Sequence, residues 1–276
     1  MNSNQKFSKR IVEALRSRRE IQQWEVFIVE MLEKLELSSV ERARATQCYE
    51  LLGQHIARRM GVAETDAQVF VQGSMRTQTT VSPRGRQKFD LDVVVKLSNP
   101  GLASMRDSDA FFNTFGRALE GVHGAGEPEA KRRCWRLQYP HEPFYFDVTP
   151  ALPDSLNIVE TDLRVRDPDT VWSPSNPEEF ADWFCGIATK RFAFQAADHV
   201  RFAEAKTEIA PLPSDPIGIH DVLRRGVQLM KLHRDNYYWE KIDRKEAMPI
   251  SVILVTLAGH AYDHLVTKER ASFDTP

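Results

Sequence analysis

The sequence predicts an α/β (α+β) chain, in which a small mixed sheet with flanking helices is followed by a helical lobe. Three observations carry this expectation. Strand-like segments cluster between Val69 and Leu152, as "VFV", "FDLDVVVKL", "RRCWRLQY" and "FYFDVTPAL", each bounded by turn residues. One amphipathic stretch, "SDAFFNTFGRALE", interrupts them, with Phe111, Phe112, Phe115 and Leu119 on one side. From Asn176 onward the chain reads as nearly all helix, broken at "PLPSDP" and before Pro249. The expected organisation is a core with N-terminal helices over residues 1–165 and a helical lobe packed against it over 166–276.

The elements follow in order. Residues from about Ser8 to Met60 read as helices, with Ile11, Leu15, Trp24, Phe27, Ile28 and Met31 among the apolar positions. "LELSSVERAR" reads as a helix stop, a serine N-cap and a new helix, which Gly61 ends. Val69-Phe70-Val71 is a short strand, "GSMRTQTT" a turn, and "VSPRGRQK" a polar loop carrying Pro83 and Gly85. Phe89 to Leu97 is a strand, and Ser108 to Glu120 is the amphipathic helix. "GVHGAGEP" reads as a flexible connection to two strands joined by "PHEP". "LPDSLNIVETDLRVRDPDTVWSPSNP" reads as a loop-rich crossing. "NPEEFADWF" opens a helix with Asn176 as N-cap, Pro177 at the first position and Glu179 as a capping-box partner. A further helix spans Ile219 to Tyr237.

Composition narrows the functional classes. The 276 residues are 42% hydrophobic and 28% charged, an ordinary globular balance. With 37 Lys and Arg against 39 Asp and Glu, the net charge of −2 does not indicate an extended basic surface, so polymer nucleic acid is not expected as a partner. Cys48, Cys134 and Cys185 are widely spaced and show no C-x-x-C pair, which fits a reducing compartment. The start "MNSNQKFSKR" has no apolar signal core, and the most apolar run, Ile250 to Gly259, is too short to span a bilayer. The expectation is a cytoplasmic protein with no membrane partner. The eight histidines show no H-E-x-x-H or related spacing, so no zinc site is expected. Trp172 and Trp183 read as packing residues, and the charges of "KRRCWR" as solvated outward groups on a strand.

The chemistry centres on "FDLDVVVKL". Alternation along a strand puts Asp90 and Asp92 on one face and Leu91, Val93, Val95 and Leu97 on the other. Two carboxylates about 6–7 Å apart on one strand repel each other, and a cation would remove that cost. A third carboxylate is available in Asp147 of "FYFDVTPAL", a segment otherwise fit for burial. Asp90, Asp92 and Asp147 brought together by adjacent strands would form a two-metal site for Mg²⁺ or Mn²⁺, of the kind that clamps both oxygens of an in-line phosphoryl displacement. A lone strand aspartate is ordinarily a solvated edge residue, so the joint pattern is what points to chemistry. Gly73-Ser74 at the end of the preceding strand supplies close backbone approach and a hydroxyl suited to phosphate.

Those motifs, "QGSMRTQTTV…FDLDVVVKL" and then "FYFDVTPAL", resemble the nucleotidyltransferases of the polymerase-β-like superfamily. More narrowly, "WSPSNPEEFADWF", "DVLRRGVQLMKLHRDNYYW" and "MPISVILVTLAGHAY" resemble the helical-domain motifs of its cGAS/DncV-like (CD-NTase) group. The resemblance runs from about Gln47 to Tyr262 and implies synthesis of cyclic di- or trinucleotide second messengers from NTPs in bacterial anti-phage signalling. Regulatory or effector proteins of a defence operon would then be partners. The resemblance also implies roles for single residues. Asp90, Asp92 and Asp147 would be catalytic and metal-binding. Gln72, Gly73 and Ser74 would contact the donor triphosphate, and Lys231 of "QLMKLHRD" and Ser251 of "PIS" would join them. Lys231 shares a polar helix face with Arg224 and Gln228. Members of the group continue with further helices after the segment that "PIS" opens, beyond the "TKERASFDTP" that closes this sequence. The alternatives are a toxin-like nucleotidyltransferase that modifies tRNA and a catalytically silent nucleotide-binding module.

Overall fold

The computed structural model describes residues 23–24, 26–28, 30–31, 34, 36–82, 87–154, 161–192, 217 and 221–273. The helices expected before residue 23, the loop residues Pro83 and Gly85, and "PLPSDP" lie outside the described residues.

Described residues between 23 and 31 are helical, and the first helix described in full is α1 (Ser39–Met60). Ser38 caps it in the manner expected: its hydroxyl accepts from Glu41 N–H while the Glu41 carboxylate accepts from Ser38 N–H. Gly61 closes it in the left-handed conformation, φ 67°. Strand β1 (Ala67–Val71) runs antiparallel to β2 (Phe89–Leu97), and between them "GSMR" forms a single helical turn, α2 (Gly73–Arg76). After a short turn α3 (Pro100–Ala103) comes the amphipathic helix α4 (Ser108–Ala118), capped by Asp107. Strands β3 (Glu129–Ala130), β4 (Trp135–Gln138) and β5 (Phe144–Pro153) complete the central part, with β5 parallel to β2 and antiparallel to β4.

The segment expected to be a loop-rich crossing is instead a hairpin, β6 (Leu163–Asp167) and β7 (Val171–Ser175), whose first strand pairs with the end of β5. "LRVRD" alternates buried and half-exposed residues, and Leu163 and Val165 pack with Phe70, Val94 and Ala151. That apolar face of only two residues, set among prolines and aspartates, was too short to stand out as a strand. The sheet therefore runs ten residues past 165, to Ser175, and helices take over at Asn176. The sheet order is β1-β2-β5-β4-β3, with β6 and β7 continuing from the far end of β5.

The core lies on one side of this sheet. Leu91, Val93, Val95 and Leu97 of β2, with Phe144, Phe146 and Val148 of β5, pack against Tyr49, Leu52 and Ile56 of α1 and Phe111 and Phe115 of α4. Full burial of each such side chain contributes roughly 1.5–3 kcal/mol. With two helices covering that face, the other carries a small apolar cluster around Val94 and Val165 at one end and is otherwise left for polar work.

The helical lobe has its own core. Helices α5 (Pro177–Ala188), α6 (Val222–Glu240) and α7 (Ser251–Phe273) meet around Phe184, Ile187, Leu223, Val227, Val255, Tyr262 and Val266. Asn176 caps α5 by accepting from Glu179 N–H. Helix α6 begins at Val222 behind an Asp221 cap, three residues later than expected, and continues three residues further. Trp172 and Trp183 pack as expected, Trp172 against Phe111 and Trp183 against Phe180 and His260. No helix among the described residues is long and apolar enough to cross a membrane.

Candidate active site

The polar face of the sheet is assembled by strand register. On parallel neighbours β2 and β5, Asp92 stands directly opposite Asp147, and Asp90 opposite Tyr145. On β4, Arg136 stands opposite Asp147 and Gln138 opposite Tyr145. Paired residues share a face, so three aspartates, a tyrosine, an arginine and a glutamine project together from three adjacent strands.

Their electrostatics follow from that crowding. Burial, with the Asp147 charge added, pushes the Asp90 carboxyl up to about 6, while Arg136 and a hydrogen bond with Tyr145 work the other way. Burial, then the Asp90 and Asp147 charges, push Asp92 up to about 7 against the pull of Lys231 and Arg136. These are carboxylates short of positive charge.

The turn between β1 and β2 presses onto them. Gln72 donates its N–H to the Asp92 carbonyl at 2.9 Å. Gly73 follows with φ 60°, and a Cβ there would overlap Asp92 Oδ2. Only glycine meets both conditions at this point. Ser74 Oγ accepts from Thr80 Oγ1 at 3.4 Å.

Helix α6 holds this turn in place. The predicted polar stripe of Arg224, Gln228 and Lys231 is present, and it packs against residues 77–80. Arg224 Nε donates to the Thr77 carbonyl at 2.9 Å, Gln228 Nε2 to the Thr80 carbonyl at 3.0 Å, and Lys231 Nζ to the Thr79 carbonyl and hydroxyl at 3.0 and 2.9 Å. Burial, with Arg234 nearby, brings the Lys231 ammonium down to about 8, partly opposed by Asp92 and Asp235. Ser251, at the start of α7, accepts from Arg234 at 3.0 Å.

Between sheet and lobe lies a cleft of about 950 Å³, at the upper end of the roughly 300–1,000 Å³ typical of small-molecule sites. Gln72, Gly73, Ser74, Asp90, Asp92, Lys231 and Ser251 all line it. Asp147 shares their face but is buried, and Arg136 rather than Asp147 meets the cleft. The reading of "KRRCWR" as solvated charge thus fails at Arg136, which holds both Asp147 oxygens at 2.8 and 2.7 Å. Arg136, Tyr145 and Arg234 are among the cleft residues that sequence reasoning missed. Only the register of β4 on β5 would have marked the first.

The oxygen-only donor set and the mutual repulsion of Asp90 and Asp92 fit Mg²⁺ or Mn²⁺. Among the described residues no three His, Cys, Asp or Glu side chains stand as they are in an arrangement that could hold a metal ion. Asp147 is engaged by Arg136, so Asp90 and Asp92 are the donors directly open to the cleft.

Comparison with known proteins adds to this geometry. Residues 67–150 match the family described as "Cyclic GMP-AMP synthase DncV-like, nucleotidyltransferase domain". A c-di-GMP synthase of Roseivirga ehrenbergii is 30% identical over 247 residues, which is 87% of this chain and 61% of the relative. The chain therefore spans about three fifths of that relative's length. The CD-NTase CdnG of Bradyrhizobium diazoefficiens, solved in complex with GTP, superposes with a TM-score of 0.65 at 27% identity, over 85% of this chain and 69% of that one. The CdnE cyclic dinucleotide synthase of Elizabethkingia meningoseptica, solved with GTP and Apcpp, shares the fold at a TM-score of 0.53 and 16% identity, over 77% and 68% of the two chains.

Proposed function

We propose that this chain, which resembles the cGAS/DncV-like (CD-NTase) nucleotidyltransferases of the polymerase-β-like superfamily, joins nucleoside triphosphates, GTP first among them, into a cyclic dinucleotide messenger. One observation carries the reading: Asp90, Asp92 and Asp147 share a sheet face opposite a cationic helix wall, across a cleft roomy enough for nucleotides. GTP is favoured because a c-di-GMP synthase and the GTP-bound CdnG are among the proteins that this chain resembles over most of its length.

The proposed reaction is attack of a ribose hydroxyl on the α-phosphate of an NTP, with pyrophosphate leaving. Two divalent cations, held by Asp90, Asp92 and Asp147, would activate the hydroxyl and neutralise developing charge. The chain's own residues do the positioning. Gly73 lets the backbone come close, and Ser74 offers a hydroxyl to the triphosphate. Lys231 contributes positive charge from a fixed, buried position, and Arg234 with Ser251 supports the same wall. Ordered donors of this kind need no reorganisation as charge develops. The messenger would act in anti-phage signalling, as the family resemblance implies, with regulatory or effector proteins of a defence operon as partners.

The test is incubation with the four NTPs and Mg²⁺ or Mn²⁺, followed by mass spectrometry of phosphatase-resistant products. A cyclic dinucleotide made from GTP, without added RNA or DNA, supports the proposal. Label appearing only on added tRNA would transfer the case to a tRNA-modifying enzyme.

A further inference from the structure

Asp147 differs from its two companions in what it touches. Arg136, directly across from it on β4, donates Nε to Oδ1 at 2.8 Å and a terminal nitrogen to Oδ2 at 2.7 Å. This two-pronged pairing is the strongest that a carboxylate makes with a side chain, and it leaves neither oxygen unengaged. The same guanidinium lies 4.1 Å from the centre of the Tyr145 ring, and Tyr145 is hydrogen-bonded to Asp90. Arg136 is thus held by a carboxylate at its edge and an aromatic ring at its face.

Its position matters as much as its bonds. Arg136 lines the cleft and keeps a quarter of its side chain exposed, whereas Asp147 lies behind it. A divalent ion approaching from the cleft meets Asp90 and Asp92 first and reaches Asp147 only by replacing the guanidinium. We propose that Arg136 is a resident cation that occupies Asp147 and swings off it when a divalent metal loads, so that completion of the metal site is an exchange of guanidinium for metal. The inference rests on the metal-dependent reading above. Its physical basis is competition: one delocalised positive charge holds the carboxylate until a doubly charged ion, also drawn by Asp90 and Asp92, outbids it. Exposure to the cleft lets the displaced guanidinium remain solvated, so the exchange leaves no buried charge unpaired. Arg136 acts through Asp147 and is a positioning residue.

The test measures metal binding directly, by electron paramagnetic resonance of free Mn²⁺ titrated against folded protein. Arg136→Met removes the guanidinium and keeps the stem, and should bind Mn²⁺ about tenfold more tightly, the scale of one lost charge-assisted pairing. Arg136→Lys keeps the charge but lacks the fork, and should also bind more tightly than the parent. It carries the comparison should the methionine variant fail to fold. Adding Asp147→Asn to either should cancel the gain. The exchange is overturned if Arg136→Met binds no more tightly. It is equally overturned if Arg136→Lys matches the parent while only Arg136→Met gains, since that marks simple removal of charge. Absence of Mn²⁺ binding in parent and variants alike would sink both this inference and the metal-dependent reading. Binding by the parent with no gain in the variants sinks this one alone.

Discussion

Gly73 and Asp92 are pressed together so closely that a methyl group on Gly73 would overlap Asp92 Oδ2 and stand 3.2 Å from its Cγ. The backbone there has φ 60°, which side chains rarely adopt. Gly73→Ala should therefore cost about 1–3 kcal/mol of stability and displace Asp92, abolishing cyclic product. Thermal melts and product assays check both. A variant with normal product yield would refute the dependence of Asp92 on this glycine.

The crowded carboxylates make stability fall as pH rises. Asp90 and Asp92 are raised from 3.8 to about 6 and about 7. The folded protein then holds more protons than the unfolded chain across that window, and its advantage, full below 3.8, is lost as pH climbs through the folded values. Asp90→Asn with Asp92→Asn should flatten this part of the curve of melting temperature against pH while abolishing product. A parent and double variant with parallel curves between about pH 4 and about pH 8 would contradict the burial and repulsion that raise these two carboxyls.

Lys231 gives the opposite slope at high pH. Its ammonium, at about 8 against an ordinary 10.5, releases its proton in the fold before it would in the unfolded chain. Stability therefore gains between these values as pH rises, and that gain is lost as pH falls through about 8. NTP affinity should decline above about pH 8 as the charge disappears. Lys231→Ala should weaken NTP binding by roughly 1.5–3 kcal/mol at neutral pH and remove the alkaline decline. Calorimetry with a non-hydrolysable NTP analogue decides, and unchanged affinity counts against the role.

Gln228 is fully buried and ties three segments together. Its amide donates to Thr80 O at 3.0 Å and Glu36 Oε1 at 2.9 Å, and its oxygen accepts from Arg225 at 2.9 Å. Gln228→Leu keeps the bulk but strands the partners, and should destabilise by about 1–3 kcal/mol. Faster amide exchange at residues 77–80 should accompany the loss. A neutral substitution would mean that water reaches these groups.

The exposed Ser38 offers a calibration remote from the cleft. Ser38→Ala removes one half of the α1 capping box and should cost about 1 kcal/mol, with product formation unchanged. Denaturant melts provide the measure.

The sequence by itself determined the elements whose signals are local. The period-two pattern of "FDLDVVVKL" set a strand with both aspartates on one face, and the serine and glycine flanking α1 set its ends, because side-chain alternation and capping act within a few residues. The helix spacing of Arg224, Gln228 and Lys231 likewise placed them on one stripe. The family resemblance, carried by the motifs around Gly73, Asp90 and Asp147, added what spacing could not.

Only the tertiary structure decided what those stripes and faces meet. The lysine stripe is buried because residues 77–80 present carbonyls to it, a pairing across some 150 positions that no local pattern encodes. Asp147 faces Asp92 because β5 lies parallel to β2, and Arg136 reaches it because β4 pairs with β5 in one register. A slip of one residue on β4 would have turned Arg136 to the core side and freed Asp147. The β6–β7 hairpin, with two apolar residues on its inner face, is a strand pair only because β5 offers an edge. Strand pairing joins distant parts of the chain, and its register sets which charge each carboxylate meets.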